Sequence, residues 1–478
     1  MTFGALASSV EALAAELQRL DPAPGSRVGI CAKNTREHLL VLLATYAAGK
    51  VWVPLNPRNG RAELDAMIAV ARPAVMIAEE SCLDRFTPTG VPLVIAKSDP
   101  RSHELPTVRE LIEAQRGNQP RPVTRVDDDE QIIKFSGGST GTPKAVVQSV
   151  RVLDAQARGL LELFEFTASD ANLIAAPLTH GTSCFVLPIL AAGGRHVLVE
   201  EPKSATVLSA IERFHITTIY APPTLLYSLM HDPSVHTRRL DSLRHVIYSA
   251  APMSPARIRE AQQAFGPVIE TAYGQVEAPQ IVTAMRAPEL EHEENLASVG
   301  RASSVAEIAI MNPEGRLMES GGVGEIVVRG PLVMTGYLDN PELTGNTIVD
   351  GWLHTGDLGV IDRRGYLYIR GRLRELINTG GFKVFPGDVE AVLARHPAIA
   401  ECTVFGAPDP KWGEAIHAAV VLSQDSPADA DDIIAFVKRE TDSVKAPKHV
   451  HFVTELPRNA AGKVSRATVR AMLSPREE

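Results

Sequence analysis

The chain has 478 residues, 45% of them hydrophobic and 22% charged, with a net charge of −9. That length exceeds one ordinary domain and supplies ample core, and an acidic balance with no lysine/arginine cluster excludes nucleic acid and anionic membrane as expected partners. Four scattered cysteines (Cys31, Cys82, Cys184 and Cys402), with no CxxC pair, argue against a zinc site or disulfide framework and fit a reducing, cytoplasmic compartment.

In chain order, the first hundred residues alternate two periodicities. Leu6–Leu20 is amphipathic, Arg27–Cys31 reads as a strand, Thr35–Ala48 as a helix, and Val51–Leu55 as a strand again. Such alternation predicts βαβ units and a largely parallel sheet. Pro106–Glu130 is polar and proline-bearing, and reads as a surface connector. Gln131–Phe135 is a short buried strand. The alternation then resumes, with strands at His196–Val199, Thr217–Tyr220 and Val246–Ser249. The stretch from Asn172 to Gly194 carries no charge, but Pro177, His180, Gly181 and Pro188 break it too often to span a bilayer. From Val305 the texture becomes short strands between Gly/Pro/Asn turns: Val305–Met311, Glu325–Arg329 and Tyr366–Gly371. Beyond Arg374 an α/β pattern returns, with strands at Thr403–Phe405, His417–Leu422 and His451–Val453, a helix at Ala430–Asp442 and a closing helix. The fold class is therefore α/β: a large N-terminal domain of α/β sheet subdomains plus a small β-rich subdomain, residues 1–373, followed by a small mobile α+β C-terminal domain, residues 374–478.

The run Ser136-Gly137-Gly138-Ser139-Thr140-Gly141-Thr142-Pro143-Lys144 carries phosphate chemistry. Its glycines let backbone N–H groups approach an anion, its hydroxyls add donors, and Lys144 adds a point charge. It is predicted at the carboxyl end of a strand, where open α/β sheets bind ligands. It is not a Walker loop, because Pro143 blocks the Gly-Lys-Ser/Thr ending. Four further islands stand out. Ser249-Ala250-Ala251-Pro252 follows a strand with small residues that leave room for a flat ring. Tyr273-Gly274-Gln275-Val276-Glu277 joins an aromatic to a carboxylate. Trp352 to Asp357 ends in an acid suited to sugar hydroxyls, with the guanidiniums of Tyr368–Glu375 beside it. Pro457 to Lys463 leaves a lysine on a glycine turn.

In this order the five motifs resemble the adenylate-forming superfamily of acyl-CoA synthetases, nonribosomal-peptide adenylation domains and beetle luciferases, over nearly the whole chain. The resemblance implies ATP, Mg²⁺ and coenzyme A as cofactors and a small carboxylic acid as substrate. Ser136, Gly138, Ser139, Thr140, Gly141, Thr142 and Lys144 would wrap the phosphates. Ser249, Ala250, Ala251, Pro252, Ala272, Tyr273, Gly274 and Gln275 would hold the adenine end, and Asp357 the ribose, with Arg372 alongside. Thr140 and Glu277 would hold Mg²⁺. Lys463 would bridge the carboxylate and the α-phosphate, Arg374 would mark the hinge, and Gly380-Gly381 would line the approach of the thiol. His180, Thr182, Gly274 and Val276 would line the acid. Val276 stands where the family usually has Thr, and Arg374 where it usually has Asp or Lys.

The resemblance implies an ATP-dependent acid–CoA ligase. An aryl acid–CoA ligase and a stand-alone enzyme loading a carrier protein are the alternatives, and a homodimer is left open. A short, branched or hydroxylated aliphatic acid is expected. The segments Thr179–Phe185 and Tyr273–Thr283 hold no lysine or arginine, which disfavours a dicarboxylate. Gly137-Gly138-Ser139-Thr140-Gly141 also fits the G-x-S-x-G elbow of serine hydrolases, but that elbow requires a helix directly after the serine.

Overall fold

A computed structural model describes residues 1–87, 90–96, 105–136, 143–423, 427–458 and 464–473. Two seven-stranded sheets form the body. In the first, the strands Glu130–Ser136, Val51–Leu55, Arg27–Cys31, Val75–Ala78 and Leu93–Ile95 lie side by side and parallel, and Lys144–Ser149 and Gly336–Tyr337 add antiparallel at one edge. The second repeats the plan: parallel strands Arg195–Leu198, Ala171–Ile174, Thr218–Tyr220, His245–Tyr248 and Ile269–Tyr273, then antiparallel Thr283–Met285 and Arg301–Ala302. Val51–Leu55 is buried along its whole length, as a parallel strand covered on both faces must be.

A third, antiparallel sheet orders Glu307–Met311, Val323–Arg329, Trp352–Ile361 and Ile348–Val349, with Leu367–Arg372 also paired to the long strand Trp352–Ile361. The fourth lies in the C-terminal part, where Ile399–Asp409 and Gly413–Leu422 form a long hairpin extended by Ile377–Thr379, Phe382–Val384 and the parallel strand His449–Phe452. The α/β expectation, the change of texture near residue 305 and the return to α/β beyond Arg374 all hold.

Local chemistry explains the element ends. Thr2 and Thr35 cap their helices by accepting from Ala5 and His38 N–H groups. The expected connector Pro106–Glu130 instead contains a helix, Val108–Ala114, started by a Thr107/Glu110 capping box. Its S/T-x-x-E signature was present, but proline and charge around it masked the pattern.

Packing joins the sheets. One apolar cluster runs through Val146 of the first sheet, Ile247 and Tyr273 of the second, and Ile326 and Leu353 of the third. A second joins Trp52 and Ile132 to Ile174, Leu178 and Val186. The first of these clusters thus forms an apolar seam among the three sheets.

His38 is sealed inside this body, and His196 is half-buried in the second sheet. Burial pushes the imidazoles of His38 and His196 down to about 4. The unfolded chain binds their protons near the ordinary value of 6.5, so their contribution to stability is complete above that value and is lost as pH falls towards 4. The urea midpoint should therefore drop between pH 6.5 and 5, above the range where most carboxylates titrate, with each histidine contributing up to about 1.4 kcal/mol per pH unit. His38→Gln should remove one such increment from the slope; an unchanged slope contradicts a neutral, buried His38.

Candidate active site at the seam of three sheets

The glycine-rich run lies where the sequence reading put it, at the carboxyl end of the strand Glu130–Ser136. Ser136 pairs with Lys144, so the two strands that flank the run form an antiparallel hairpin. Gly138, Ser139, Thr140, Gly141 and Thr142 fall outside the described residues. A strand, Lys144–Ser149, follows the run rather than a helix. That removes the serine-hydrolase elbow on geometric grounds.

At the base of this hairpin, Ser136 Oγ donates to Glu277 Oε1 at 2.9 Å. Tyr337 Oη donates to the same oxygen at 3.0 Å. Tyr337 comes from the edge strand beside Lys144–Ser149, and Lys144 Nζ stands 5.7 Å from its ring centroid. Burial, then the Glu277 carboxylate, raises the Tyr337 phenol well above its usual range, so it remains a donor. Sequence reasoning missed Tyr337: a two-residue strand carries no periodicity to find. Both donors land on Oε1, and neither bonds Oε2. One oxygen-bearing carboxylate of this kind suits a hard cation that takes its remaining ligands from phosphate and water. Among the described residues no group of three or more His, Cys, Asp or Glu gathers to cage a metal.

The second focus is Asp357, only 5% exposed on the central strand Trp352–Ile361. Its Oδ2 accepts from Tyr273 Oη at 2.8 Å and from Gln275 Nε2 at 2.7 Å. Its Oδ1 stands 3.2 Å from Arg372 Nε on the paired strand. Three of a carboxylate's roughly four acceptor positions are thus used, and one stays open on Oδ1. Burial and the Asp357 charge push the Tyr273 hydroxyl up, so Tyr273 donates throughout the physiological range. Glu325 on the neighbouring strand fixes the approach to Asp357: it pairs with His354 Nδ1 at 2.7 Å and accepts from Gly356 N at 2.9 Å.

The strand His245–Tyr248 runs into Ser249, which is buried, and Ala250, held at φ +75°. Ala251 and Pro252 complete this turn beside the Tyr273 strand. After Tyr273, Gly274 has no room for a side chain: a methyl there would sit 2.4 Å from Gln280 N. Ala272 is buried beneath it, and the Val276 carbonyl accepts from Gln148 Nε2 at 2.7 Å. His180 bonds Thr179 Oγ1 through Nδ1, and burial, then Lys134 and Arg58, pushes its imidazole down to about 4. Thr182 is buried at 1% exposure, with no partner for its hydroxyl.

The remaining candidate residues follow Arg372 in the chain. Arg374 is exposed in the turn Leu373–Glu375. Gly380 (φ +59°) and Gly381 (φ +84°) form a hairpin tip, where Gly380 N donates to Trp412 O at 2.7 Å. Lys463 lies outside the described residues, but the chain on either side is tied down. Arg458 pairs with Glu401, Ser465 N donates to Pro457 O at 2.8 Å, and Arg466 reaches both Glu375 and Glu390. Arg466 thus links the turn at Arg374 to the chain that carries Lys463. Away from all these residues, a surface cavity of about 730 Å³ lies along the outer strand Arg195–Leu198 and is lined by Lys203, Arg213 and Arg238 among others.

Comparison with known proteins agrees with this arrangement. The AMP-binding enzyme family profile matches residues 1–338, and the AMP-binding enzyme C-terminal domain profile matches residues 388–463. The chain is 35% identical to the medium/long-chain-fatty-acid–CoA ligase FadD8 of Mycobacterium tuberculosis, over 98% of this chain and 85% of that one. It is 33% identical to a feruloyl-CoA synthase of an Amycolatopsis species, over 98% and 93%. Among solved structures it resembles the amide bond synthetase McbA of Marinactinospora thermotolerans, with 30% identity, TM-score 0.90 and coverage of 99% and 95%. It also resembles ATP-bound MatB of Rhodopseudomonas palustris, with 28% identity, TM-score 0.88 and coverage of 98% and 93%. With two paired carboxylates at the meeting of its sheets and both family profiles in order along it, the chain belongs to the AMP-binding enzyme family as an AMP-forming acyl-CoA synthetase of the adenylate-forming superfamily.

Proposed function

We propose that the seam holds one ATP, with its phosphates at the Ser136–Lys144 hairpin and Glu277 and its ribose at Asp357, and that a small carboxylic acid is activated there before transfer to CoA. The observation that carries this reading is the pair of anchored carboxylates. Asp357 draws partners from the second and third sheets, Glu277 draws both of its donors from the first, and each keeps acceptor capacity on one oxygen.

A carboxylate resists attack because it is anionic and would have to expel oxide. Joining it to AMP makes a mixed anhydride and releases pyrophosphate; the thiol of CoA then displaces AMP and forms the thioester. The first step brings two anions together, so fixed cations and donors do most of the work. Lys144 and the backbone of its hairpin would bind the outer phosphates. Mg²⁺, when bound, would neutralise phosphate charge. Glu277 would hold that cation through Oε2, kept in orientation by Ser136 and Tyr337. Asp357 would take a ribose hydroxyl on Oδ1, and Tyr273 would lie along the adenine, with the Ser249–Pro252 turn opposite. Lys463 would act where charge develops on the α-phosphate.

The second step needs the lysine removed and a path for the thiol. Arg374 as hinge and Gly380-Gly381 as lining suit a C-terminal unit, residues 374–478, that turns between steps. Four cysteines without a disulfide among them fit a cytoplasmic site of action. No helix among the described residues is long and apolar enough to cross a membrane.

A panel of small acids assayed for pyrophosphate release with and without CoA tests the reading. Thioester should appear with CoA; turnover that ignores CoA and needs an amine or a carrier protein would reassign the acceptor. Lys463→Ala should slow acyl-AMP formation roughly a thousandfold, the scale of one charge pair of about 4 kcal/mol near 4 Å, while sparing thioester formation from supplied acyl-AMP. Equal loss of both steps contradicts the two-step division. Tyr337→Phe removes one charge-assisted hydrogen bond and should lower pyrophosphate release about tenfold or more, with a raised Mg²⁺ requirement. An unaltered Mg²⁺ dependence would remove Tyr337 from the positioning of Glu277.

A further inference from the structure

The two segments proposed to line the acid meet at one turn, the short helix Gly181–Phe185. A methyl added at Gly181 would come within 2.7 Å of Tyr220 Oη and 2.9 Å of Gln280 Oε1, so the backbone passes directly against both side chains. Gln280 is held there at φ +68°, a left-handed conformation that a glutamine adopts only under constraint.

Lys134 approaches the same turn from the first sheet. It lies two residues before Ser136, on the same face of its strand, and is 8% exposed. Its Nζ donates to Ser183 Oγ at 2.9 Å and to the His180 carbonyl at 3.3 Å, and stands 5.7 Å from the Trp52 ring centroid. An ammonium has three N–H donors, and no described carboxylate forms an ion pair with this one. Burial lowers its proton affinity, the mark of a cation without a counter-charge.

Two side chains of the lining segments are unsatisfied as well. Thr182 Oγ1 and Gln280 Nε2 are buried without a hydrogen-bond partner. Lys134 also acts on the Cys184 thiol, at the end of the same turn. Buried polar groups in a protein of this size are ordinarily paired, so each of these is a donor left for an accepting oxygen.

We propose that this turn reads a hydrogen-bond-accepting oxygen, a second carboxylate or a keto oxygen, at the end of the acid remote from the carboxyl group that is adenylated, with Lys134 as the residue that determines the preference. The proposal rests on the reading that His180–Phe185 lines the acid. It also reverses one sequence expectation. The lining segments contain no lysine or arginine, but the fold brings Lys134 and Arg58 to His180 from other strands and loops.

The test compares pyrophosphate release by the full-length protein, with ATP and CoA, for a matched series of chain lengths. At each length the unsubstituted fatty acid, the terminal methyl-ketone acid and the dicarboxylate are measured. At the best length an oxygenated acid should exceed its parent in kcat/KM by roughly a hundredfold or more, the discrimination expected of a site that pairs with a substrate oxygen. The ketone and dicarboxylate arms distinguish a carbonyl from a charge. Lys134→Met should reduce that ratio by at least tenfold, and Lys134→Arg should restore part of it. A lysine that only braces the turn would leave the ratio unmoved in both variants. Equal turnover of parent and oxygenated acids by the wild-type protein at every length overturns the inference while leaving acid activation standing. Pyrophosphate release from no acid at all would sink the underlying reading and this inference with it.

Discussion

Asp357 is a carboxylate with almost no contact with water, and the arrangement of the site follows from keeping it charged there. A buried anion is tolerable only when donors replace its hydration. The donors come from both sides of a seam: Tyr273 and Gln275 from the end of the second sheet, and Arg372 from the strand beside Asp357 in the third. Because each donor is anchored in its own sheet, the carboxylate also sets where the sheets meet. The Tyr273 ring is thereby oriented through its hydroxyl, and Gln275 is further held by the Thr355 carbonyl at 3.0 Å.

Glu277 repeats the device at the other end of the seam. Four residues beyond Tyr273, it is gripped by Ser136 and Tyr337 from the first sheet. The short segment between Tyr273 and Glu277 is therefore fastened at both ends to different sheets. Gly274 at its start has backbone of residues 278–280 packed where a side chain would go. Such a segment cannot drift without breaking hydrogen bonds at both carboxylates. This rigidity suits a reaction whose difficulty is bringing two anions into line, since prepositioned charge needs no reorganisation as the reaction proceeds.

The C-terminal part is built on a different principle. Its own core gathers around Val404, Ile416, Ala418 and Val420 of the long hairpin. Arg466 ties the turn after Arg372 to the helix that follows the Lys463 segment, through Glu375 and Glu390. These contacts fasten the residues that flank the Lys463 segment to the same unit as Gly380-Gly381.

Local patterns were legible because local physics sets them. Period-two and period-3.6 hydrophobicity located the strands Arg27–Cys31 and Val51–Leu55 to the residue and the helix Thr35–Ala48 with its caps. The glycine-rich run, the Tyr273–Glu277 segment and Asp357 were visible as dense clusters of chemically distinctive residues. The helix Val108–Ala114 was lost among prolines and charges. The ten-residue strand Trp352–Ile361 was not read as one because its histidine, glycines and aspartate interrupt any alternation. What the amino-acid order determined by itself was the element sequence and the kinds of group available for phosphate, ribose and acid. Only the tertiary structure decided that Tyr337 grips Glu277, that Tyr273 and Gln275 share one oxygen of Asp357, and that Lys134 reaches the turn at His180–Ser183. Those partners lie 46 to 84 residues apart in the chain, and contacts across such separations depend on which strands pair, which no periodicity in a single segment encodes.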